Sequence, residues 1–311
     1  MKTACVFPGQ GSQSIGMSTA LAEAYPIVKE IYQAASESLG FDLWALVAQG
    51  SKDELNQTQH TQPAMLVSSY AVWKVLQAET ELKADYFAGH SLGEYTALVC
   101  ADAIKFSDAV KLVYERGQFM QQAVPSGEGA MAAILGLDDA AVVSVCEQAA
   151  ESQIVSAVNF NSPGQVVIAG QKPAVERAMA LAKEAGAKRA LALPVSVPSH
   201  CALMKPAADK LAERLNDIDI QAPKIPVVHN VDVQMQTEAS AIRHALAAQL
   251  YSPVRWAETI KSFGDMGVST IIECGPGKVL TGLSKRINKQ LNLIPVFDSA
   301  GVDALTESLT A

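Results

Sequence analysis

Short apolar runs, several of them rich in β-branched residues, alternate along the chain with longer segments whose apolar residues recur at helical spacing. In residues 202–215, for example, leucine and alanine side chains recur every four positions, and charged side chains occupy the opposite face. The short runs predict strands at residues 3–7, 85–88, 226–229, 268–273 and 293–297. The longer segments predict helices at residues 64–79, 92–100, 107–123, 202–215, 238–250 and 255–266, with a short helix after residue 298. Such alternation is typical of a mainly parallel sheet covered by helices on both faces.

The segment from residue 125 to residue 196 follows a different pattern, βαββαβ, with a turn at residues 161–164 between its second and third strands. This order is that of a ferredoxin-like unit. Prolines stand at both ends of the segment. We therefore predict an α/β fold in which residues 1–124 and 197–311 form one core and residues 125–196 form an inserted ferredoxin-like subdomain.

Length and composition limit the classes of protein to which the chain can belong. Its 311 residues suffice for one large core with a smaller domain attached. The mean hydropathy of +0.15 is high for a soluble protein. However, no apolar run reaches the ~18 residues of a membrane-spanning helix, and the N-terminus lacks the long apolar region of a signal peptide. We therefore expect a cytoplasmic protein without a membrane partner. The net charge of −8 argues against nucleic-acid binding, which needs a basic face.

The five cysteines are far apart and include no Cys-x-x-Cys pair, so we expect neither a disulfide framework nor a metal site. They are Cys5, Cys100, Cys146, Cys201 and Cys274. Four of them have the apolar neighbours that are typical of buried cysteines. Cys201 differs because it follows His200, and it is a second candidate nucleophile, although nothing in the sequence prepares it as a thiolate.

The strongest chemical motif is Gly89-His90-Ser91-Leu92-Gly93, which lies between a predicted strand and a predicted helix. In this context Gly-x-Ser-x-Gly forms a sharp turn that exposes the serine hydroxyl, and the flanking glycines avoid clashes with neighbouring backbone. The N-terminus of the helix favours the negative charge that develops near the serine. We therefore predict that Ser91 is the nucleophile of an enzyme that forms an acyl-serine intermediate.

A serine nucleophile needs a general base, and the five histidines differ in their suitability for this role. His200 lies in a proline-stiffened loop, residues 194–200, which can hold it within ~2.6–3.2 Å of a hydroxyl. His90 adjoins Ser91 and would have to fold back over the turn, which leaves it only a local hydrogen bond. The other three resemble ordinary surface or core residues: His60, His229 and His244. We therefore predict His200 as the base.

Acyl transfer also needs backbone N–H groups that stabilise an oxyanion. One comes from Leu92, the residue after the nucleophile. The other should come from a loop after a different strand, and residues 8–13 follow the first strand. A phosphate-binding loop is the alternative for this segment, but Gly9-x-Gly11 lacks a third glycine at position 14. Gly275-Pro276-Gly277-Lys278 lacks the P-loop spacing as well, and we expect it to form a tight strand-to-helix turn.

Six motifs together resemble the malonyl-CoA:acyl carrier protein transacylase family, the acyltransferases of bacterial fatty-acid synthesis. They occur in the family's order and cover nearly the whole chain, so jointly they are far more specific than any one of them. The motifs are FPGQGSQ (7–13), GHSLGEY (89–95), VPSH (197–200), NVDV (230–233), QLYSPV (249–254) and GPGKVL (275–280). The resemblance implies an α/β-hydrolase-like core with a ferredoxin-like insert, which agrees with the architecture predicted above.

The resemblance also implies the reaction and most of the site. Ser91 matches the nucleophile and His200 matches the base. The backbone N–H groups of Gln10 and Leu92 match the oxyanion hole. The implied reaction is a ping-pong transfer in which a malonyl group passes from malonyl-CoA to Ser91, and then to the phosphopantetheine thiol of acyl carrier protein. CoA and phosphopantetheine enter as substrates, no cofactor or metal is implied, and we expect a monomer.

Two further residues take roles from the resemblance. Arg116 matches the arginine that holds the malonyl carboxylate, and a guanidinium can grip a carboxylate with two parallel hydrogen bonds. The alternative is a surface arginine that pairs with Glu115 or another neighbour. Gln249 matches the residue whose main-chain carbonyl orients the base, since no Asp or Glu is obviously placed to do so. On that basis we expect a Gln249→Ala substitution to matter little.

Since carrier proteins are generally acidic, we expect a local basic surface to receive the carrier. The candidates are Lys285, Arg286 and Lys289 in the core, or Lys188 and Arg189 in the insert. Three alternative functions share part of this evidence: a serine esterase or thioesterase on the same core, an acyltransferase of polyketide synthesis with another acyl group, and a non-catalytic carrier-binding module. Arg116 and the insert argue against the esterase, and the combination of Ser91 with His200 argues against the module.

Overall fold

The computed structural model describes residues 2–195 and 197–310, which form nine strands and fourteen α-helices. The strands are β1 (Lys2–Phe7), β2 (Tyr86–Gly89), β3 (Gly129–Leu135), β4 (Val155–Ser162), β5 (Gln165–Gln171), β6 (Arg189–Ala192), β7 (Val227–Val228), β8 (Val268–Cys274) and β9 (Asn292–Val296). The helices are α1 (Thr19–Ala24), α2 (Ile27–Leu39), α3 (Leu43–Gln49), α4 (Lys52–Leu55), α5 (Thr58–Glu79), α6 (Gly93–Cys100), α7 (Phe106–Ala123), α8 (Asp139–Ala150), α9 (Lys172–Glu184), α10 (Lys205–Leu215), α11 (Ala239–Gln249), α12 (Trp256–Asp265), α13 (Val279–Ile287) and α14 (Ser299–Thr310). Met1, Ser196 and Ala311, which are ends of the predicted domains, lie outside the described residues.

Five parallel strands form the main sheet, in the order β7-β2-β1-β8-β9. Alternate residues of the central strand β1 point to opposite faces, as the geometry of a strand requires. Cys5 and Phe7 pack against a layer that includes α2, α5, α6 and α7. Ala4 and Val6 pack against α12 and α13 on the other face. The predicted fold class, a mainly parallel sheet between two layers of helices, is confirmed.

A second sheet, antiparallel and in the order β4-β5-β3-β6, lies between residues 129 and 192. One of its faces buries the apolar sides of α8 and α9 and forms a separate small core. The other face carries Met131, Val158 and Val167, which pack with Cys201 of the main core. The strand order and connections are those of a ferredoxin-like unit. The sheet falls within the predicted insert at 125–196, and the boundaries of that insert stay a prediction.

Main-chain hydrogen bonds join the insert to the core beside the edge of the main sheet. The N–H of Val254 donates to the carbonyl of Val158 at 2.8 Å, and the N–H of Phe160 donates to the carbonyl of Val254 at 3.0 Å. Strand β4 is thereby held against the segment between α11 and α12. As a result, Asn159 and Asn161 of β4 line the same cavity as Ser91.

The helices differ from the sequence prediction mainly before residue 60. The pattern leaves residues 19–55 unassigned, whereas the structure has four helices there, of which three are short and two begin at side-chain caps. Asp42 accepts a hydrogen bond from the N–H of Ala45, and Ser51 accepts one from the N–H of Glu54. Helix α5 starts six residues earlier than predicted and continues through Pro63, although proline removes one helix hydrogen bond. Among the described helices, none combines the length and the apolar character that crossing a membrane requires.

Candidate active site

Ser91 lies in a tight turn between β2 and α6, and its backbone is left-handed, with φ of +52°. A non-glycine residue in this region is strained and persists only where its surroundings hold it. Here the N–H of Ser91 donates to Asn230 Oδ1 at 2.7 Å. Position 89 accepts only glycine, because a Cβ there would lie 1.8 Å from the carbonyl carbon of Gly93. The structure therefore contains the predicted strand–turn–helix arrangement, with the serine at its apex.

His200 is the hydrogen-bond partner of Ser91. Ser91 Oγ lies 2.8 Å from His200 Nε2, and His200 Nδ1 lies 2.7 Å from the carbonyl oxygen of Gln249. Since a carbonyl oxygen can only accept, Nδ1 carries the proton and Nε2 accepts the hydroxyl proton of Ser91. The N–H of His200 donates to the carbonyl of Leu250 at 2.9 Å, which fixes the loop. This is the geometry that proton abstraction from a serine requires.

The environment of His200 keeps its imidazole neutral. Burial and the neighbouring Arg116 guanidinium lower the pKa of His200 to about 3, although the hydrogen bond to Gln249 acts in the opposite direction. The side chain is only 3% exposed. At neutral pH the ring therefore has a free lone pair on Nε2 and can serve as a general base.

The loop that carries Gln10 runs directly against the serine turn. A Cβ at Gly9 would lie 2.3 Å from the carbonyl oxygen of His90, so this approach requires a glycine. Gln10 and Leu92 line the same cavity as Ser91, and Leu92 immediately precedes the first turn of α6. This placement fits a pair of N–H donors beside the reacting carbonyl.

Arg116 projects from α7 into the protein and is 1% exposed. Its Nη1 donates to Gln62 Oε1 at 2.8 Å and its Nη2 donates to Gln249 Oε1 at 3.0 Å. Its Nε has no partner, and no carboxylate of the described residues pairs with it directly. The alternative interpretation of a surface arginine paired with Glu115 is wrong, because Glu115 accepts from Arg214 Nε at 2.6 Å instead. A buried guanidinium with unpaired N–H groups is a receptor for an anionic group.

These side chains meet in one cavity of about 260 Å³ between the core and the insert. The core contributes Ser91, His200, Arg116 and the loop that carries Gln10. The insert contributes apolar side chains and three amides, namely Met131, Val167, Asn159, Asn161 and Gln165. The cavity thus brings the Ser91–His200 pair together with a buried guanidinium.

Comparison with known proteins assigns the chain to a family. Residues 4–302 match the family described as the acyl transferase domain. The chain belongs to this acyltransferase family. The acyltransferase is 59% identical over 309 residues to the malonyl CoA-acyl carrier protein transacylase of Haemophilus influenzae, with 99% of each chain covered. It is 48% identical over 309 residues to the protein of the same name from Bacillus subtilis, with 99% of this chain and 97% of that relative covered.

Solved structures agree with this assignment. The malonyl CoA-acyl carrier protein transacylase of Coxiella burnetii superposes on the acyltransferase with a TM-score of 0.99 at 51% identity, over 100% of this chain and 98% of that one. A malonyl-transacylase in complex with a type II polyketide synthase acyl-carrier protein superposes with a TM-score of 0.98 at 56% identity, over 99% and 100% of the two chains. The resemblance stated from the sequence motifs is thereby confirmed, and the chain is an acyltransferase.

The sequence motifs alone did not assign a role to three buried residues behind Ser91. Glu94 on α6 accepts hydrogen bonds from His229 Nδ1 at 2.8 Å and from the N–H of Asn230 at 2.9 Å. Asn230 Nδ2 donates to the carbonyl of Gly89 at 2.7 Å. Burial disfavours a charged His229, but the Glu94 carboxylate outweighs burial and raises the pKa of His229. The sequence offered one indication of this cluster. Glu94 directly follows the Gly-x-Ser-x-Gly motif, and His229 lies at the end of a neighbouring strand of the same parallel sheet.

The side chain of Gln249 has partners that its main-chain role does not require. Its Oε1 accepts from Arg116, and its Nε2 donates to the carbonyl of Ser91 and to Glu94 Oε2, both at 2.9 Å. The expectation that Gln249→Ala matters little assumed that this side chain makes no important contacts. The contacts described above contradict that assumption, and we now expect the substitution to matter. Removal of the side chain deprives two buried charged groups of a partner.

The remaining candidates, His90 and Cys201, make hydrogen bonds to groups other than Ser91. His90 Nε2 donates to Asn161 Oδ1 at 2.8 Å, and burial lowers the pKa of His90. The Cys201 thiol donates to the carbonyl of Pro198 at 3.1 Å, and burial raises the pKa of Cys201 to about 11, so it is not a thiolate at neutral pH. Among the described residues no group of three or more His, Cys, Asp or Glu side chains is arranged to hold a metal ion.

Proposed function

We propose that this acyltransferase moves the malonyl group of malonyl-CoA to the phosphopantetheine thiol of an acyl carrier protein, through a malonyl ester of Ser91. The names of the curated relatives and the carrier in the related complex support both substrates. The acyl choice is carried by one observation, the buried Arg116, which lines the cavity that holds Ser91. Its guanidinium uses only two of its five N–H groups for hydrogen bonds, to Gln62 and Gln249. A malonyl thioester has a carboxylate at its far end, which can pair with Arg116 while its carbonyl reaches Ser91.

In the first half-reaction, His200 Nε2 takes the proton of Ser91 Oγ while the oxygen attacks the thioester carbonyl. A C–O bond forms and the carbonyl electron pair moves to the oxygen, which the N–H groups of Gln10 and Leu92 stabilise. The tetrahedral intermediate collapses, the C–S bond breaks, and the sulfur of CoA leaves with the proton from His200. Ser91 then carries the malonyl group as an ester.

In the second half-reaction, the thiol of the carrier's phosphopantetheine gives its proton to His200 and attacks the malonyl ester. A C–S bond forms, the bond to Ser91 Oγ breaks, and Oγ recovers the proton from His200. His200 is then neutral again and Ser91 again carries its hydroxyl proton, so the enzyme has returned to its starting state. The proposed reaction therefore requires no cofactor or metal ion.

Basic residues from the core and the insert come together at the edge of the cavity. Arg286 Nη1 donates to Gln165 Oε1 at 2.5 Å, and Gln165 lines the cavity. Lys188 packs over Gly136, whose N–H donates at 2.8 Å to the carbonyl of Gly164, the neighbour of Gln165. The other predicted basic candidates are also exposed, namely Arg189, Lys285 and Lys289. An acidic carrier docked on this surface would have its phosphopantetheine arm directed at the cavity.

Intact-protein mass spectrometry tests the covalent step and the transfer together. Malonyl-CoA should add one malonyl group to the wild-type protein and none to Ser91→Ala. Subsequent addition of the carrier in its phosphopantetheine form should remove the group and produce malonyl-carrier. An adduct elsewhere, or equally fast loss of malonyl to water without carrier, would contradict the proposal.

The same measurement tests Arg116. Offered equal concentrations of malonyl-CoA and acetyl-CoA, Arg116→Ala should lose its preference for the malonyl adduct. If that variant keeps the wild-type preference, Arg116 does not hold the carboxylate.

A further inference from the structure

Glu94 is a fully buried carboxylate with no arginine or lysine beside it. Its oxygens accept hydrogen bonds from His229 Nδ1, from the N–H of Asn230 and from Gln249 Nε2 at 2.8, 2.9 and 2.9 Å. In the described part of the chain, His229 is the only basic side chain in direct contact with it. An ionised carboxylate is costly to bury unless an opposite charge compensates for it. Both oxygens accept here, whereas a glutamine has one acceptor oxygen and would turn its amide N–H groups towards one of these donors.

The side-chain amide of Gln249 connects Glu94 with Arg116. Its Nε2 donates to the carboxylate at 2.9 Å, and its Oε1 accepts from the guanidinium at 3.0 Å. The positive end of the amide dipole thus faces the negative group, and the negative end faces the positive group. Two buried charges of opposite sign compensate each other across one amide without pairing directly.

His200 is attached to the same residue, because its Nδ1 donates to the main-chain carbonyl of Gln249 at 2.7 Å. After burial, the positive charge of Arg116 is the largest influence that lowers the pKa of His200. Glu94 carries the opposite charge at the other end of the Gln249 amide, where it offsets part of the field of Arg116.

We propose that Glu94 is a positioning residue for acyl transfer. Its buried negative charge acts through the side-chain amide of Gln249 and balances the charge of Arg116. In this way it supports the imidazolium that His200 becomes in the transition state. The inference rests on the proposed function, because it takes His200 as the base and Arg116 as the receptor of the malonyl carboxylate. The side-chain amide of Gln249 separates Glu94 from Arg116. Glu94 therefore does not occupy the N–H groups of Arg116 that the substrate would use.

Glu94→Gln keeps the shape of the side chain and removes its charge. The new amide N–H can donate to His229 Nδ1 if the His229 proton moves to Nε2, which has no hydrogen-bond partner in the described structure. An uncompensated Arg116 attracts a malonyl carboxylate more strongly and opposes protonation of His200 more strongly. We expect the maximal rate of Ser91 acylation to fall at least tenfold, while the half-saturating concentration of malonyl-CoA stays the same or falls. Single-turnover rapid-quench measurement of the malonyl-enzyme gives the two values separately.

Glu115→Gln is the matched control. It removes the same charge from the residue next to Arg116 on α7, but its carboxylate contacts Arg214. Both kinetic values should stay at the wild-type level. If Glu94→Gln weakens rate and apparent affinity together, as a distorted site would, or changes neither, the proposal is overturned.

Thermal unfolding of a double variant tests the charge balance even where Glu94→Gln folds poorly. His229 also faces Glu94, so the test is made in a His229→Gln background. There Arg116→Met and Glu94→Gln each leave one buried charge uncompensated, so the double variant, with both changes, should melt at a higher temperature than the variant with either one. A double variant that melts no higher, or that does not fold, refutes the balance. Arg116→Met alone keeps the two proposals apart, since it must lose the preference for malonyl over acetyl if the proposed function holds, whatever Glu94→Gln does.

Discussion

Lowering the pH from 8 to 5 should leave the acylation of Ser91 nearly unchanged, because His200 stays neutral throughout. The imidazole is 3% exposed, and burial together with Arg116 lowers the pKa of His200 to about 3. An exposed histidine with a pKa near ~6.5 would be only about one-tenth neutral at pH 5.5, so a rate that depended on it would fall roughly tenfold. With a pKa of about 3, roughly 99% of the base is still neutral at pH 5.

The assay is kcat/KM for the release of CoA from malonyl-CoA, followed by stopped flow at constant ionic strength. This parameter reports the ionisation of groups in the free enzyme. Far-UV circular dichroism at each pH serves as the control that the protein remains folded. An acid limb with a midpoint near ~6.5 would refute the argument, because it would show that His200 titrates like an exposed imidazole.

The same shift makes the folded state less stable in acid. Because the pKa of His200 is lower in the folded chain, the unfolded chain binds a proton that the folded chain does not. The stability contributed by this residue is unaffected above about pH 6.5, and it falls by about 1.4 kcal/mol per pH unit from there towards pH 3. His200→Gln removes the titration, so the difference in urea-unfolding free energy between wild type and variant should change with this slope. Parallel curves for the two proteins would contradict the shift.

Three further outcomes follow from the contacts. Gln249→Ala should lower the single-turnover acylation rate roughly tenfold or more, because Arg116 and Glu94 each lose a hydrogen bond that holds them in place; an unchanged rate would restore the view that only its carbonyl matters. Activity should survive iodoacetamide at pH 7.5, since Cys201 is buried and its pKa is raised to about 11; inactivation with alkyl label on Cys201 would disprove this. Arg286→Glu should raise the half-saturating carrier concentration about tenfold and spare that of malonyl-CoA, and equal effects on both would remove this residue from the docking surface.

The fold class is predictable because its signals are local. Each strand of the main sheet is a short apolar run that ends near a turn, and β1 shows this in a single run of buried residues, Ala4 to Phe7. The insert is predictable for the same reason. Residues 19–55 were not predicted. Helices α1, α3 and α4 are too short for a clear periodicity, and α3 and α4 are defined by single capping side chains such as Asp42. Helix α2 is different, because its thirteen residues bury a stripe at helical spacing that was available in the sequence.

In the site, too, residues with a local sequence signal can be predicted, and residues that depend on long-range contacts cannot. Ser91 has a local motif and His200 has a stiff loop, so both can be proposed from the sequence. The burial of Arg116 cannot, because the acceptors that permit it are 54 and 133 residues away in the chain, at Gln62 and Gln249. The contact between Glu94 and His229 spans 135 residues and leaves no local pattern.

His200 is oriented by a neutral acceptor, the carbonyl oxygen of Gln249, and not by a carboxylate. The presence of Arg116 in the same cavity explains this choice. A carboxylate beside His200 would stabilise the imidazolium better, but it would also lie near the guanidinium and compete with the malonyl carboxylate for its N–H groups. A carbonyl oxygen orients the ring without adding charge. The weaker support for the imidazolium is tolerated because a thiol, with a pKa near ~8.5, leaves far more readily than an alkoxide. Under the proposed function, acyl recognition and base strength depend on the same charges around Gln249, so a substitution of Arg116 that changes the acyl preference should also change the rate of proton transfer.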